Sequence, residues 1–476
     1  CKKFQSMSNK KGTPANKIQD LQFFGEFGGV NPSIADSSTF TYLAGKTMGD
    51  VFEGTQEGCY LYSRHTNPST SYLGQAIAGM EYTKGAILSA SGMGAITTTL
   101  LQLCSTGDEI VSSRTIYGGT YAFMKNYLPK FNIKTTFVNT TKLEEIEAAI
   151  TDKTKVIYCE TISNPLLEVS DINAIAEVAK KHGIKFVVDN TFTPMIFSPA
   201  KMGADVVIHS LTKFINGTSD TVGGVVCSDE EFIGSMIDVN SGSAMLLGPT
   251  MDAVRAASIL KNIRTLHLRM KKHSENAQYL AEKFQADNVR VIYPGLENHP
   301  QHKMMKNSMN DGFGFGGMFV IDTKTKEKAN TLMEEMQNNN LGYLAVSLGF
   351  YKTLFSAPGL STSSEIPEEE TGSGISTIFK DFVNMPKAMR QLGLVQFFSW
   401  FALFSMWVFT TPAIAQHFYG TTDPSSLAYQ EAGDWVGVIF SVYNGISAVF
   451  AMLLPLIANK IGRKTTHAVC LSLGGL

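Results

Sequence analysis

Asp171-Ile-Asn-Ala-Ile-Ala-Glu-Val-Ala-Lys-Lys-His-Gly-Ile-Lys-Phe-Val-Val-Asp189 carries a helix and a strand back to back. Ile172, Ile175, Ala176 and Val178 recur at helical spacing. Lys180 and Lys181 suit the negative end of a helix dipole, and Gly183 suits the left-handed residue that closes one. The pattern predicts a helix over Asp171 to His182. Lys185 to Asp189 is then a short β-branched run with the length of a buried strand. Two more such runs bracket this unit, Lys155-Val-Ile-Tyr-Cys159 before it and Val206-Val-Ile-His209 after it. Strand, helix and strand at this spacing specify a mostly parallel sheet with right-handed crossovers, an α/β fold.

Outward from that unit the composition is uneven. The chain has 476 residues, a formal net charge of −2 and only 17% charged residues, against roughly 25% in an average soluble domain. The length allows two to three domains, and the balanced charge exerts no global pull toward nucleic acid or anionic lipid. The missing charges are missing from one place. No Asp, Glu, Lys or Arg occurs between Arg390 and Asp423, or from Trp435 to Asn459. Each window exceeds the ~20 apolar residues that cross a bilayer, which predicts membrane helices at about 391–415 and 435–458. A third begins after His467. Lys380, Lys387 and Arg390 on one flank, and Lys460, Arg463 and Lys464 on the other, put both outer flanks in the cytoplasm. Asp423, Glu431 and Asp434 fill the loop between the spans. The polar stretch from Gly359 to Gly374 places a junction near Glu370. Six scattered cysteines, with no CxxC pair and no histidine at ligand spacing, predict reduced thiols and no metal site. No secretory signal opens the chain; Met7 is a candidate start.

Within the α/β part, Asp189 closes one buried strand and Lys213 follows the next in His209-Ser-Leu-Thr-Lys213. An acid and an amine at the carboxyl ends of neighbouring strands make a site for a pyridine aldehyde cofactor. The lysine forms a Schiff base, and the acid keeps the ring nitrogen protonated. The phosphate of such a cofactor needs backbone donors, and Ser89-Ala-Ser-Gly92-Met93-Gly94 stands before a helical run from Ile96 to Cys104. Ser210 and Thr212 flank Leu211 with hydroxyls, and Tyr117 in Tyr117-Gly-Gly-Thr120 offers an aromatic face. Arg64 in Tyr62-Ser-Arg-His-Thr-Asn-Pro68 suits a phosphate.

These clusters occur in the order Y-S-R-x-x-N-P, S-G-M-G-A, Y-G-G-T, Y-x-E-T-x-x-N-P (Tyr158 to Pro165), V-D-N-T and H-S-x-T-K. From about residue 18 to 370 the chain resembles the Cys/Met-metabolism family of pyridoxal-phosphate enzymes, which includes cystathionine γ-lyases, cystathionine γ-synthases and methionine γ-lyases. The resemblance implies the fold type I transferase architecture, with an arm at 1–17, a cofactor-binding large domain at 18–250 and a truncated small domain at 251–370. It implies Lys213 as Schiff-base lysine, Asp189 at the pyridine nitrogen and Tyr117 both stacked on the ring and acting on the leaving group. It implies Gly92, Met93, Ser210 and Thr212 at the phosphate and Asn164 near the cofactor hydroxyl. Ser347 begins the substrate-carboxylate site. Tyr62 and Arg64 reach the phosphate of a neighbouring subunit, so a homodimer or homotetramer is implied. The expected reaction is γ-elimination from a sulfur amino acid, cystathionine or methionine, by an enzyme body in the cytoplasm. γ-Replacement on the same residues is the alternative. Gly119, where some methionine γ-lyases carry Cys, leans toward cystathionine.

The departures are specific. Thr218 follows Gly217 where the family usually has His; Lys352 stands for a Glu; Thr362-Ser363 stand for Thr-His. The segment R-x-S-x-G-x-E, whose Arg holds the substrate carboxylate, has no counterpart after Glu370. Residues 371–476 instead resemble a fragment of the major facilitator sugar transporters, near the glycoside-cation symporters. The expectation is an enzyme body joined to an incomplete transporter segment, with membrane association through that segment. In a second alternative the enzyme-like part is an inert passenger on a transport fragment.

Overall fold

The computed structural model describes residues 12–23, 25–53, 56, 58–357 and 408–442. The chain divides into two compact units, Cys1–Pro367 and Glu368–Leu476.

The first unit is built on seven strands: β1 (Gly85–Ser89), β2 (Glu109–Ser113), β3 (Lys134–Val138), β4 (Thr154–Glu160), β5 (Lys185–Asp189), β6 (Val206–Ser210) and β7 (Gly224–Ser228). Their order across the sheet is β1-β7-β6-β5-β4-β2-β3. β7 runs antiparallel to β1 and β6, and the other pairs are parallel. The predicted strands are present within a residue of their expected ends. They are readable because helices cover both faces of the sheet, which makes each central strand a continuous apolar run. The expected helix is also there, over Ile172–His182, with the Asp171 carboxylate accepting from the Ala174 N–H and Gly183 closing it at φ 65°.

Alternation along the strands sorts their side chains between two cores. Phe186, Val188 and Val207 join Leu73, Ile77, Ile175 and Ile259 from the helices Pro68–Glu81, Ile172–His182 and Ala253–Asn262. Val156, Tyr158, Val187, Val206 and Ile208 join Ile96 and Leu100 of the helix Gly92–Leu103 on the other face. Carried to the strand ends, the same alternation sends Glu160, Asp189 and Ser210 out on the Gly92 side. His209 turns to the opposite face and hydrogen-bonds the buried Glu81 carboxylate at 2.8 Å. The sheet thus collects three polar residues on one edge before any loop contributes.

Later in this unit come four two-residue strands: β8 (Val291–Ile292), β9 (Val320–Ile321), β10 (Tyr343–Leu344) and β11 (Leu354–Phe355). β8 pairs with β9, and β10 pairs with β11. Cys59, Cys104, Cys159 and Cys227 are free, and burial pushes the thiols of Cys104 and Cys159 up to about 12.

In the second unit the described residues form helices at 408–418 and 427–442. Most of the expected 391–415 and 435–458 spans, and all of the third, lie outside the described residues. Among the described residues no helix is long and apolar enough to cross a membrane. The expected loop is partly helical, since 427–442 runs through Glu431 and Asp434. Charges end a membrane span without ending a helix, because Glu is a good helix former and Asp is tolerated on a solvated face.

Candidate active site

Asp189 and Lys213 sit at the carboxyl ends of adjacent parallel strands, with Asp189 paired to Ile208 across β5 and β6. Asp189 is buried. Its Oδ1 accepts the Thr191 N–H at 2.9 Å and its Oδ2 accepts the Tyr158 hydroxyl at 3.4 Å. Burial raises its pKa from the ordinary value, and the Thr191 and Tyr158 bonds oppose that shift. Among the described residues no Lys or Arg forms an ion pair with it. A buried carboxylate supported only by neutral donors suits a cationic ring nitrogen better than it suits the apoprotein.

Lys213 is half-buried. Its Nζ donates to Ser347 Oγ at 3.1 Å, and burial lowers its pKa from the ordinary lysine value. A partly desolvated amine of this kind is a better nucleophile and base than a surface lysine. Ser347 reaches it because Gly349, at φ +81°, packs directly on the backbone after Lys213. A Cβ there would stand 2.3 Å from the Phe214 nitrogen. The next turn is fastened by Arg269, whose guanidinium donates to the carbonyls of Phe214 and Ile215. Burial lowers the Arg269 pKa to about 10.

The helix Gly92–Leu103 begins with Gly92, a turn before the expected Ile96. Ser91 caps it, its Oγ accepting from the Gly94 N–H at 3.0 Å. That cap leaves the first amides, at Gly92 and Met93, pointing out of the helix start, where an anion is stabilised. Ser210 lies against them: a Cβ on Gly92 would be 2.8 Å from Ser210 Cβ. Thr212 is placed differently from the expectation, since its hydroxyl brackets Gly223, accepting from the N–H at 3.1 Å and donating to the carbonyl at 3.3 Å. Gly92→Ala therefore forces Ser210 or the helix start apart. The expected result is at least tenfold weaker cofactor binding with the fold retained, read by absorbance titration and a thermal melt.

Tyr117 is 43% exposed, and its ring lies over Gly119, where a Cβ would be 2.6 Å from Tyr117 Cε1 and 3.1 Å from Met93 Sδ. Its backbone N–H donates to Glu160 Oε1 at 2.7 Å, while the Asn164 N–H donates to Glu160 Oε2 at 3.2 Å. Glu160, Tyr158, Thr191 and Gly349 carry no sequence signal of their own as site residues. The signal for the first two was the two-residue spacing inside Y-x-E-T, which puts both on one face of β4 and beside Asp189. Tyr62 and Arg64 lie together in the single chain. Arg64 Nη1 donates to the Met245 carbonyl of its own chain at 3.0 Å, and the guanidinium stands over the Tyr62 ring at 5.7 Å.

The site has the parts for pyridoxal phosphate: an amine, a buried acid, an anion-binding helix start and an aromatic face. Comparison with known proteins agrees. Residues 17–383 match the family model described as Cys/Met metabolism PLP-dependent enzyme. A methionine gamma-lyase of Arabidopsis thaliana is 46% identical over 371 residues, covering 76% of this chain and 84% of the relative. A cystathionine gamma-lyase of Bacillus subtilis is 38% identical over 315 residues, covering 65% of this chain and 80% of the relative. Among solved structures, cystathionine gamma-lyase from Lactobacillus plantarum in complex with L-serine superposes with a TM-score of 0.67 at 30% identity, over 75% of this chain and 90% of that one. A putative O-acetylhomoserine (thiol)-lyase from Campylobacter jejuni, holding a pyridoxyl-lysine phosphate, gives a TM-score of 0.71 at 27% identity, over 76% and 93%. The family match runs past the expected junction at 370 and stops at 383, and these matches lend no support to the transporter resemblance of the tail.

Proposed function

Since the chain belongs to the Cys/Met metabolism PLP-dependent enzyme family, we propose that it is a carbon–sulfur lyase that eliminates the γ-substituent of methionine or cystathionine. The reading rests on one observation above the rest: the half-buried Lys213 amine, 3.1 Å from Ser347 Oγ, at the strand end next to the buried Asp189. Pyridoxal phosphate, when bound, supplies an electron sink that stabilises the negative charge left by the departing α-proton. Lys213 holds the cofactor and, once displaced by the substrate amine, carries protons at the α and β carbons. Asp189 keeps a proton on the ring nitrogen. Gly92, Met93 and Ser210 bind the phosphate, with Thr212 acting through the Gly223 backbone. Asn164 borders the ring. Ser347 orients the lysine and faces the substrate carboxylate. Tyr117 covers the ring and protonates the departing sulfur.

The overall reaction breaks the Cγ–S bond and consumes one water. Its products are a thiol, a 2-oxo acid and ammonia. γ-Replacement would use the same residues and gains no separate support. Tyr62 and Arg64 fit a role at the phosphate of a second copy, which makes the working form at least a dimer. Cys59, Cys104, Cys159 and Cys227, the free cysteines among the described residues, suit a reducing compartment such as the cytoplasm.

Tyr117→Phe separates binding from chemistry. It keeps the aromatic face and removes the acid, so kcat for thiol release should fall by about 10²–10⁴-fold with KM changed much less. Thiol trapping with a chromogenic disulfide measures both. An unchanged kcat would assign the leaving-group proton to another residue.

A further inference from the structure

Glu160 ends β4, and the assignments above give it no task of its own. It stands beside Asp189 in the β4–β5 register, on the same face. The residue is 6% exposed, and among the described residues no Lys or Arg forms an ion pair with it. Its two oxygens go to two different turns. Oε1 takes the N–H of Tyr117, at the start of the helix Gly118–Ala122, and Oε2 takes the N–H of Asn164. Its own carbonyl accepts the Ser170 hydroxyl at 2.8 Å, which fixes the far end of the loop that carries Asn164.

Burying a carboxylate with no cation is unfavourable. Two amide hydrogen bonds offset part of that cost, and a solvated cap at either turn would do the local job with no burial at all. Only a residue between the two turns can hold both. Resting on the reading of Tyr117 and Asn164 as neighbours of the cofactor, we propose that Glu160 is a positioning residue. A single carboxylate straps the Tyr117 turn and the Asn164 turn together and so sets the width of the cofactor cleft. The titratable groups that feel its charge are Asp189 on β5 and Tyr158 and Cys159 on its own strand.

The test is amide hydrogen exchange on the full chain without cofactor, followed by titration with pyridoxal phosphate. Glu160→Ala should speed exchange at the Tyr117 and Asn164 amides by at least tenfold and leave the Val225 amide on β7 unchanged. Glu160→Gln is nearly isosteric and keeps one carbonyl acceptor, so it should release one of the two amides; it carries the test if the Ala variant fails to fold. Either variant should weaken cofactor binding about tenfold and alter the visible circular dichroism of the bound cofactor. The proposal is overturned if both amides exchange as in wild type. It is equally overturned if they exchange faster while cofactor affinity and dichroism stay unchanged. A wild-type chain that shows no visible band on titration would instead refute the cofactor site itself, a distinct outcome.

Discussion

Lys213→Ala is expected to abolish the visible absorbance that wild type shows with added pyridoxal phosphate, and to lower thiol release by at least about 10⁴-fold. The loss should come without unfolding. Lys213 contributes a hydrogen bond to Ser347 and a burial cost for its amine, and alanine removes both together. The core around it (Leu211, Phe214 and Ile215) keeps its packing, so the thermal melt should stay close to wild type. An absorbance band that survives in Lys213→Ala would place the cofactor-bearing amine elsewhere and remove the basis of the mechanism.

Asp189→Asn should separate stability from function in opposite directions. Burial holds the Asp189 carboxyl above its ordinary pKa of 3.8, so the folded apoprotein binds this proton more tightly than the unfolded chain does. The sign follows from linkage: the stability from this group is full below the unfolded value and is lost as pH rises through the raised folded value. Asparagine has no proton to lose. Its carbonyl can still accept the Thr191 N–H, and its amide can donate to the Tyr158 phenol oxygen. The apoprotein of the variant should therefore melt above wild type at neutral pH. The difference should vanish in acid. Activity should move the other way. Removing one partner of a buried charge pair costs about 3–5 kcal/mol, or roughly 10²–10⁴ in rate. A variant that loses stability at every pH would show that Asp189 serves the fold and not the cofactor.

Much of this site was legible in the sequence because its groups end strands that are buried on both faces. Lys185-Phe-Val-Val-Asp189 fixes both the strand and the residue that projects from its end. The helix before it announced itself through its period and its glycine stop, and Asp171 turned out to be its cap. What stayed hidden depends on register between strands. Nothing in Tyr158-Cys-Glu160 says that it lies level with Val187 to Asp189. That alignment sets two buried acids side by side, and Asp189 raises the Glu160 pKa on top of burial. The Gly92 helix starts earlier than its sequence suggests because Gly-Met-Gly is a poor helix sequence; the Ser91 cap and the packing of Ser210 against Gly92 override it. Thr212 shows the converse, a hydroxyl in the right place by motif that the fold spends on Gly223. In the tail, hydropathy registered the absence of charge but not where helix begins, and the helix 427–442 crosses the acids that had marked a loop.

Elimination at a cofactor held by Lys213 can be tested by product analysis. The full chain, loaded with pyridoxal phosphate and given methionine or cystathionine in turn, should release thiol, 2-oxo acid and ammonia in equal amounts from at least one of them, and Lys213→Ala should release none. Thiol formed without the 2-oxo acid, or products formed at the same rate by Lys213→Ala, would contradict it.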